Sequence, residues 1–225
     1  LDTRIYTSIA SAWHSDGKRV VFLSDLNDRY GLYLLTPGEE NPDLLTNESF
    51  DVTSAPLISV SANRIFFQSN EPSPYERHVF YIPDEGGAST RVSNIPGQHR
   101  PYPSPDGMRV ALLHNSDLRP TELYLMDTLS ELSESQITNS LNPDFMSLSL
   151  VKPRYTTFKS QIDDYTLHAR ILEPPNLKRG KRYPVIFGPA YSNTVRNRWA
   201  GTIGLLQQLL VERGYIVIQV DVRGS

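Results

Sequence analysis

Residues 103–113 read Pro-Ser-Pro-Asp-Gly-Met-Arg-Val-Ala-Leu-Leu, and the same pattern occurs twice upstream, in residues 14–24 and 59–69. The upstream copies read His-Ser-Asp-Gly-Lys-Arg-Val-Val-Phe-Leu-Ser and, in a more divergent form, Ser-Val-Ser-Ala-Asn-Arg-Ile-Phe-Phe-Gln-Ser. The first apolar strand residues of the copies are 45 positions apart (65 − 20 and 110 − 65): Val20, Ile65 and Val110. A period of about 40–45 residues that carries several short strands is typical of a β-propeller blade.

Two further stretches recur after each copy. The first is a predicted strand with an aromatic residue among apolar ones: Gly31-Leu-Tyr-Leu-Leu, His78-Val-Phe-Tyr-Ile and Glu122-Leu-Tyr-Leu-Met. The second is short and ends in a hydroxyl residue: Thr46, Ser93 and Thr138. The Asp-Gly pairs at 16–17 and 106–107 provide the positive φ that a tight hairpin turn needs, whereas the middle copy keeps Asn63 without a glycine. We therefore predict four-stranded propeller blades. Three blades cannot close a ring of the usual 4–8 or so, and we expect the others in a longer protein.

The repeat ends after Thr138, and we place a domain boundary near residue 150. Residues 1–150 are then predicted to form an incomplete set of propeller blades, and residues 151–225 to begin a second domain. Residues 155–172 alternate like an antiparallel hairpin around Asp163-Asp164. This second domain is thus expected to open with an antiparallel strand pair.

A strand–helix–strand unit follows this hairpin. Residues 185–187 (Val-Ile-Phe) and 216–218 (Ile-Val-Ile) are continuous apolar runs, as expected for strands of a parallel sheet covered on both faces. Between them, apolar residues recur at helical spacing and Gly214 is placed to end the helix; they are Trp199, Ile203, Leu206 and Leu210. A parallel sheet needs more strands, and residue 1 is Leu rather than Met. We therefore expect both ends to lie inside a longer protein.

The composition excludes several classes of function. A net charge of −3 provides no basic field for nucleic acid or for an anionic membrane surface, and no stretch approaches the roughly 20 apolar residues of a membrane span. Without cysteine there are no disulfides and no thiolate metal ligands. The absence of cysteine does not indicate whether the protein lies in an oxidising or a reducing compartment. The five histidines lack metal-ligand spacing, so we expect neither a metal ion nor a cofactor.

In this order, the motifs resemble the prolyl oligopeptidase superfamily (serine peptidase family S9), and within it the dipeptidyl peptidase IV branch. Three stretches carry the resemblance: residues 69–81, Tyr102-Pro-Ser-Pro-Asp-Gly with Glu122-Leu-Tyr, and Gly180-Lys-Arg-Tyr-Pro-Val-Ile through Asp221-Val-Arg-Gly-Ser. It implies the last blades of a β-propeller followed by the N-terminal part of an α/β-hydrolase domain. It also implies a serine exopeptidase that releases dipeptides from peptide N-termini after proline or alanine. Such an enzyme would be periplasmic or secreted, and the full-length protein could be a homodimer.

The implied catalytic triad is not in this chain. An α/β-hydrolase carries its nucleophile in a Gly-x-Ser-x-Gly turn, followed by Asp and His, and no such turn occurs here. The family's glutamate pair for the substrate amine would lie in an earlier part of the propeller. We therefore predict that the chain by itself is inactive. The alternatives are a non-enzymatic propeller scaffold, or an acylaminoacyl peptidase or oligopeptidase of the same superfamily.

Three residues remain as site candidates. In the family, a tyrosine hydroxyl in the loop after the first parallel strand donates to the oxyanion, and counting from Pro184 makes this Tyr191. Aligning the Gly-Pro pairs would instead place that position at Ile186 or Phe187, with Tyr191 as a packing residue. Arg196 and Arg198 could hold a substrate carbonyl or carboxylate, or could form ion pairs at a domain interface. Asp221 and Arg223 are interpreted as fixing the turn after their strand.

Overall fold

A computed structural model describes residues 10–46, 49–129, 134–178, 180–188 and 194–222 of the chain. The chain divides into two compact units, and each is described by itself. Unit 1 comprises residues 1–114 and 122–139, and unit 2 comprises residues 115–121 and 140–225. The boundary near residue 150 stays a prediction.

Unit 1 is built from three four-stranded sheets in which strands adjacent in sequence are neighbours in space. The first contains β1 (Ser11–Trp13), β2 (Val20–Ser24), β3 (Gly31–Leu35) and β4 (Asp43–Leu44). The second contains β5 (Leu57–Ser59), β6 (Arg64–Ser69), β7 (His78–Pro83) and β8 (Thr90–Arg91). The third contains β9 (Gln98–Pro103), β10 (Arg109–Ser116), β11 (Arg119–Asp127) and β12 (Glu134–Gln136), with the tip of its β10–β11 hairpin in unit 2. The predicted four-stranded antiparallel blades are confirmed.

The middle sheet of unit 1 is buried on both faces. In β6, Ile65 and Phe67 pack into a cluster with the first sheet, whereas Phe66 between them packs into a cluster with the third. In β7, Phe80 and Val79 divide between the same two clusters. Alternate residues of a strand point to opposite faces, so each fully buried side chain here adds about 1.5–3 kcal/mol of stability on one side or the other.

Recurring turns and hydroxyls confirm that the three sheets are copies of one unit. Gly17 and Gly107 have nearly the same left-handed φ, +66° and +65°, and Asn63 of the middle copy also has a positive φ. The hydroxyl residue after each last strand accepts a hydrogen bond from a backbone N–H of the third strand. The pairs are Thr46 with Leu32 (3.0 Å), Ser93 with Val79 (2.9 Å) and Thr138 with Leu123 (2.8 Å).

Unit 2 is a four-stranded sheet in the order β13-β14-β16-β15. Strands β13 (Arg154–Lys159) and β14 (Thr166–Leu172) form the predicted antiparallel hairpin. Strands β15 (Val185–Phe187) and β16 (Ile216–Val220) are parallel, as predicted, and helix α2 (Gly201–Glu212) connects them. A short helix, α1 (Pro143–Met146), precedes the sheet. Gly214 follows α2 with a φ of +87°, which suits the left-handed residue that ends a helix.

The burial of the strand–helix–strand unit differs from the sequence prediction. All of β15 is exposed, with Phe187 at 62%, and β15 is the edge strand of its sheet. The predicted apolar face of α2 is also exposed at Ile203 and Leu206, whereas its buried residues are Gln207 and Val211. The prediction that these apolar runs are covered on both faces is therefore wrong for β15 in the described structure.

Candidate functional site

The parallel strands of unit 2 bring two chain segments together at the end of the sheet where β15 and β16 finish. The carboxyl ends of β15 and β16 lie side by side, and the Gly188 N–H donates to the Ile218 carbonyl at 2.7 Å. In open α/β sheets, ligands bind outside the carboxyl ends of parallel strands. We call the described residues at this place the edge site; they are Gly188, residues 194–199 and Asp221.

Asp221 anchors the segment that leads into α2. Its Oδ1 accepts hydrogen bonds from the Thr194 N–H at 2.6 Å, the Thr194 hydroxyl at 2.8 Å and the Val195 N–H at 3.1 Å. The Asp221 N–H donates to the His168 carbonyl at 3.1 Å, and the Val195 side chain is buried. The sequence assigned Asp221 only to its own turn, whereas its carboxylate binds a segment 27 residues upstream.

The same segment is anchored at its other end by two asparagine side chains. The Asn115 Oδ1 accepts from the Trp199 N–H at 2.9 Å, and the Asn197 Oδ1 accepts from the Asp117 N–H at 3.0 Å. The Trp199 ring meets Phe145 edge-on, with centroids 5.3 Å apart. Residues 194–199 therefore hold their position through side-chain acceptors rather than through a regular helix or strand.

Arg196 and Arg198, the two predicted substrate-binding residues, differ in their surroundings. Arg198 is exposed and Arg196 is partly buried. Burial lowers the pKa of Arg196, and the neighbouring Arg198 charge lowers it further, while the Asp221 carboxylate opposes both effects. A guanidinium in such a place gains from every oxygen acceptor that reaches it. Tyr191, the predicted oxyanion donor, lies outside the described residues.

A buried polar network lies within the sheet of unit 2. Arg170 donates to Asp117 Oδ1 from Nε and Nη2, at 2.9 and 2.7 Å, and from Nη1 to the side-chain oxygens of Gln207 and Gln219. The Tyr155 hydroxyl donates to the other Asp117 oxygen at 2.5 Å. Burial raises the pKa of Asp117 in spite of these partners, and burial together with Asp117 raises the pKa of Tyr155.

Sequence reasoning missed this network, although one signal was present. Gln219 is a polar residue inside the apolar run of β16, and it lies directly opposite Arg170 on β14. A polar residue within an apolar strand needs a buried partner, which the alternation pattern alone cannot name.

Among the described residues of unit 1, one group could act as metal ligands, and the sequence did not reveal it because His14 lies about 70 residues before the two acidic members. The ligand atoms of His14, Asp84 and Glu85 lie within 4.8 Å of one another. Arg19 already supplies a cation there, since its guanidinium pairs with Glu85 at 2.5 Å and with Asp16 at 2.6 Å. The arrangement is that of an ion-pair cluster around a turn.

Three buried histidines stack in unit 1. The ring centroids of His78 and His99 are 5.1 Å apart, and those of His99 and His114 are 4.6 Å apart. The His99 Nδ1–H donates to the Arg77 carbonyl at 2.9 Å. The other ring nitrogen, Nε2, lies 3.8 Å from Glu134 Oε2. Within the described residues, neither of these two atoms has a hydrogen-bond partner. The stack is enclosed in the packing of unit 1, where a ligand has no access.

Comparison with known proteins identifies the family. A model of the dipeptidyl peptidase IV (DPP IV) N-terminal region matches residues 3–121. The chain belongs to the dipeptidyl peptidase IV family. The resemblance drawn from the sequence motifs is thereby confirmed at the level of the S9 dipeptidyl peptidases.

Individual relatives agree with this assignment. The chain is 28% identical over 200 residues to a probable dipeptidyl-aminopeptidase B of Emericella nidulans, covering 83% of the chain and 21% of that protein. It is 29% identical over 198 residues to a protein of the same name from Aspergillus oryzae, with the same coverage of each. The structure of Porphyromonas gingivalis dipeptidyl peptidase 4 has a similar fold, with a TM-score of 0.80 and 22% identity over 96% of this chain and 30% of that one. The chain thus spans about a fifth of the length of the curated relatives it matches.

Among the helices of the described ranges, none combines the length and the apolar character needed to span a bilayer.

Proposed function

We propose that this chain is part of a serine exopeptidase that releases dipeptides from peptide N-termini, after proline or alanine. The observation that carries the proposal is membership of the dipeptidyl peptidase IV family, established over residues 3–121. The two relatives described above bear the name dipeptidyl-aminopeptidase B, which is consistent with this reaction.

In this proposal, residues 1–150 are the last blades of a propeller, and residues 151–225 begin the α/β-hydrolase domain. The parallel β15–α2–β16 unit supports the second assignment, because a crossover helix between parallel strands is the building unit of such domains. The Ser, His and Asp of the triad would come from the longer protein. The chain alone is therefore proposed to be inactive, since it has no Gly-x-Ser-x-Gly turn.

Two residue roles belong to the same proposal. The Tyr191 hydroxyl is the oxyanion donor, a neutral donor whose benefit arises only as charge develops in the transition state. Arg196 binds a carbonyl or carboxylate oxygen of the peptide, and Arg198 at the exposed rim contributes charge. Partial burial and the nearby Asp221 favour Arg196 over Arg198 as the direct contact. The substrate is a peptide with a free N-terminus, and a homodimer is compatible with this assignment.

Release of p-nitroaniline by the full-length protein that contains this chain tests the reaction. We expect turnover of Gly-Pro-p-nitroanilide, no turnover of the same compound with an acetylated amine, and loss of activity after treatment with a serine-directed fluorophosphonate. The labelled residue, located by mass spectrometry, should be a serine outside this chain. The chain alone should neither react with the probe nor turn over the substrate.

The same assay separates the alternatives. Turnover of acetyl-alanine-p-nitroanilide without dipeptide release would identify an acylaminoacyl peptidase. Cleavage within blocked peptides would identify an oligopeptidase. A full-length protein that neither reacts with the probe nor cleaves any of these compounds would be a non-enzymatic propeller scaffold, and the proposal would be wrong.

A further inference from the structure

We propose that Asp221 is a positioning residue, which holds residues 194–196 at the edge of the sheet and thereby sets the location of the Arg196 guanidinium. The kinetic part of this inference rests on the proposed function. The structural part, which concerns the position of the segment, does not.

The hydrogen bonds of Asp221 carry the inference. One carboxylate oxygen accepts from two consecutive backbone N–H groups and one hydroxyl, all within 3.1 Å. Bonds to an ionised acceptor are about twice as strong as neutral ones, so these three bonds hold Thr194 and Val195 firmly against Asp221. Asp221 directly follows β16, which pairs with β14 on one side and β15 on the other. The acceptor is therefore fixed by the interior of the sheet.

The segment has an irregular backbone at this end. Residues 194–199 form no regular helix or strand, and their local backbone hydrogen bonds include Arg196 N–H to the Thr194 carbonyl at 3.1 Å. The buried Val195 side chain and the Asp221 carboxylate tie the residues before Arg196 to the sheet. The asparagine contacts fix the opposite end, at Asn197 and Trp199. Loss of the Asp221 carboxylate should thus free the residues immediately before Arg196.

Asp221 also acts on Arg196 through its charge. Burial and Arg198 disfavour the charged guanidinium, and Asp221 offsets part of that cost. A single carboxylate thus fixes the backbone before the arginine and lowers the electrostatic cost of burying its charge. Asp221 itself needs no contact with substrate for this role.

Hydrogen exchange and kinetics of the full-length protein test the inference with four variants. Asp221→Asn removes the charge but keeps one acceptor oxygen, and Thr194→Val removes only the hydroxyl bond. Asp106→Asn is the matched control, because the Asp106 carboxylate also accepts one backbone N–H, from Met108, and one hydroxyl, from Ser104, in a turn of unit 1. Arg196→Gln removes the group on which Asp221 is proposed to act.

We expect amide exchange in residues 194–196 to become about 10- to 100-fold faster in Asp221→Asn, less so in Thr194→Val, and unchanged in Asp106→Asn. Turnover should fall about tenfold in Asp221→Asn. Combining it with Arg196→Gln should lower turnover no further than the arginine change alone, because the two residues act as one unit. A merely structural role would give additive losses.

Each failure has its own meaning. Exchange in residues 194–196 that equals the wild-type rate in Asp221→Asn would overturn the positioning role, whatever the activity. Additive losses in the double variant would overturn the link to Arg196. A wild-type protein without peptidase activity would refute the proposed function, while the exchange experiment would still decide the role of Asp221.

Discussion

The Arg170 guanidinium donates two hydrogen bonds to a single oxygen of Asp117, and both side chains are only 6% exposed. Burial of two charges costs several kcal/mol per ion, which the mutual attraction repays only when further hydrogen bonds satisfy both groups. Tyr155 provides such a bond to Asp117, and Gln207 and Gln219 provide them to Arg170. The raised pKa of Asp117 indicates that desolvation outweighs these attractions.

This balance predicts opposite outcomes for single and paired substitutions in the full-length protein. Asp117→Ala should destabilise unit 2 by about 3–5 kcal/mol, because it leaves the Arg170 charge buried without its ion-pair partner. Asp117→Leu combined with Arg170→Met should be close to neutral, since both charges leave together. Opening free energies from hydrogen exchange in β14 measure the effect. A paired variant as unstable as the single one would contradict this account.

A pH dependence follows from Glu134 in unit 1. Burial by itself would raise the pKa of Glu134, but His99 and the backbone N–H groups of Asn94 and Ile95 outweigh it, so its pKa is lowered. A folded-state pKa below the ordinary value gives a stabilisation that is present above that value, near 4.5, and is lost as the pH falls through the folded pKa.

Glu134→Gln should therefore reduce the acid-side slope of stability. The urea midpoint of the wild type should fall more steeply than that of the variant between about pH 5 and about pH 3. The groups near His99 are the stacked His78 and His114, and they are the same in both proteins. Parallel curves for the two proteins would show that Glu134 is not responsible.

The recurring hydroxyl acceptor of the blades can be tested at Thr46. Thr46→Val keeps the shape of the side chain but leaves the buried Leu32 N–H without its acceptor, at a cost of about 1–3 kcal/mol. Thr90→Val, at the exposed position of β8, is the control and should change stability by less than about 0.5 kcal/mol. Chemical denaturation of both variants and the wild type measures the difference. Equal stabilities of Thr46→Val and the wild type would show that the hydroxyl has no structural role.

Tyr191→Phe in the full-length protein tests the proposed oxyanion donor. Loss of one such donor typically lowers turnover by about 10²–10³, equivalent to about 2.7–4 kcal/mol. KM should stay nearly unchanged, and stability should stay within about 1 kcal/mol of the wild type. Tyr165→Phe, at an exposed turn, serves as control. Wild-type turnover in Tyr191→Phe, or a loss explained by unfolding, would make Tyr191 a packing residue.

The amino-acid sequence by itself determined the blades of unit 1, and the hairpin and strand–helix–strand unit of unit 2. The Asp-Gly turns and the alternation of apolar residues are local signals that act within one strand or one hairpin, and the 45-residue spacing (65 − 20 and 110 − 65) shows that they recur once per blade. The sheets of unit 1 and the parallel pair β15 and β16 could therefore be predicted without knowledge of their neighbours.

Only the tertiary structure decided which polar groups meet. Asp117 pairs with Arg170 across 53 residues, and Asp221 binds Thr194 across 27. No spacing rule selects these partners, because the contact depends on where the two segments lie after the sheet has formed. The exposure of β15 likewise depends on which elements pack against the faces of its sheet. Hydrophobic periodicity specifies the face that a residue occupies, whereas hydrogen bonding and charge pairing require a second group at a defined distance, which the fold alone supplies.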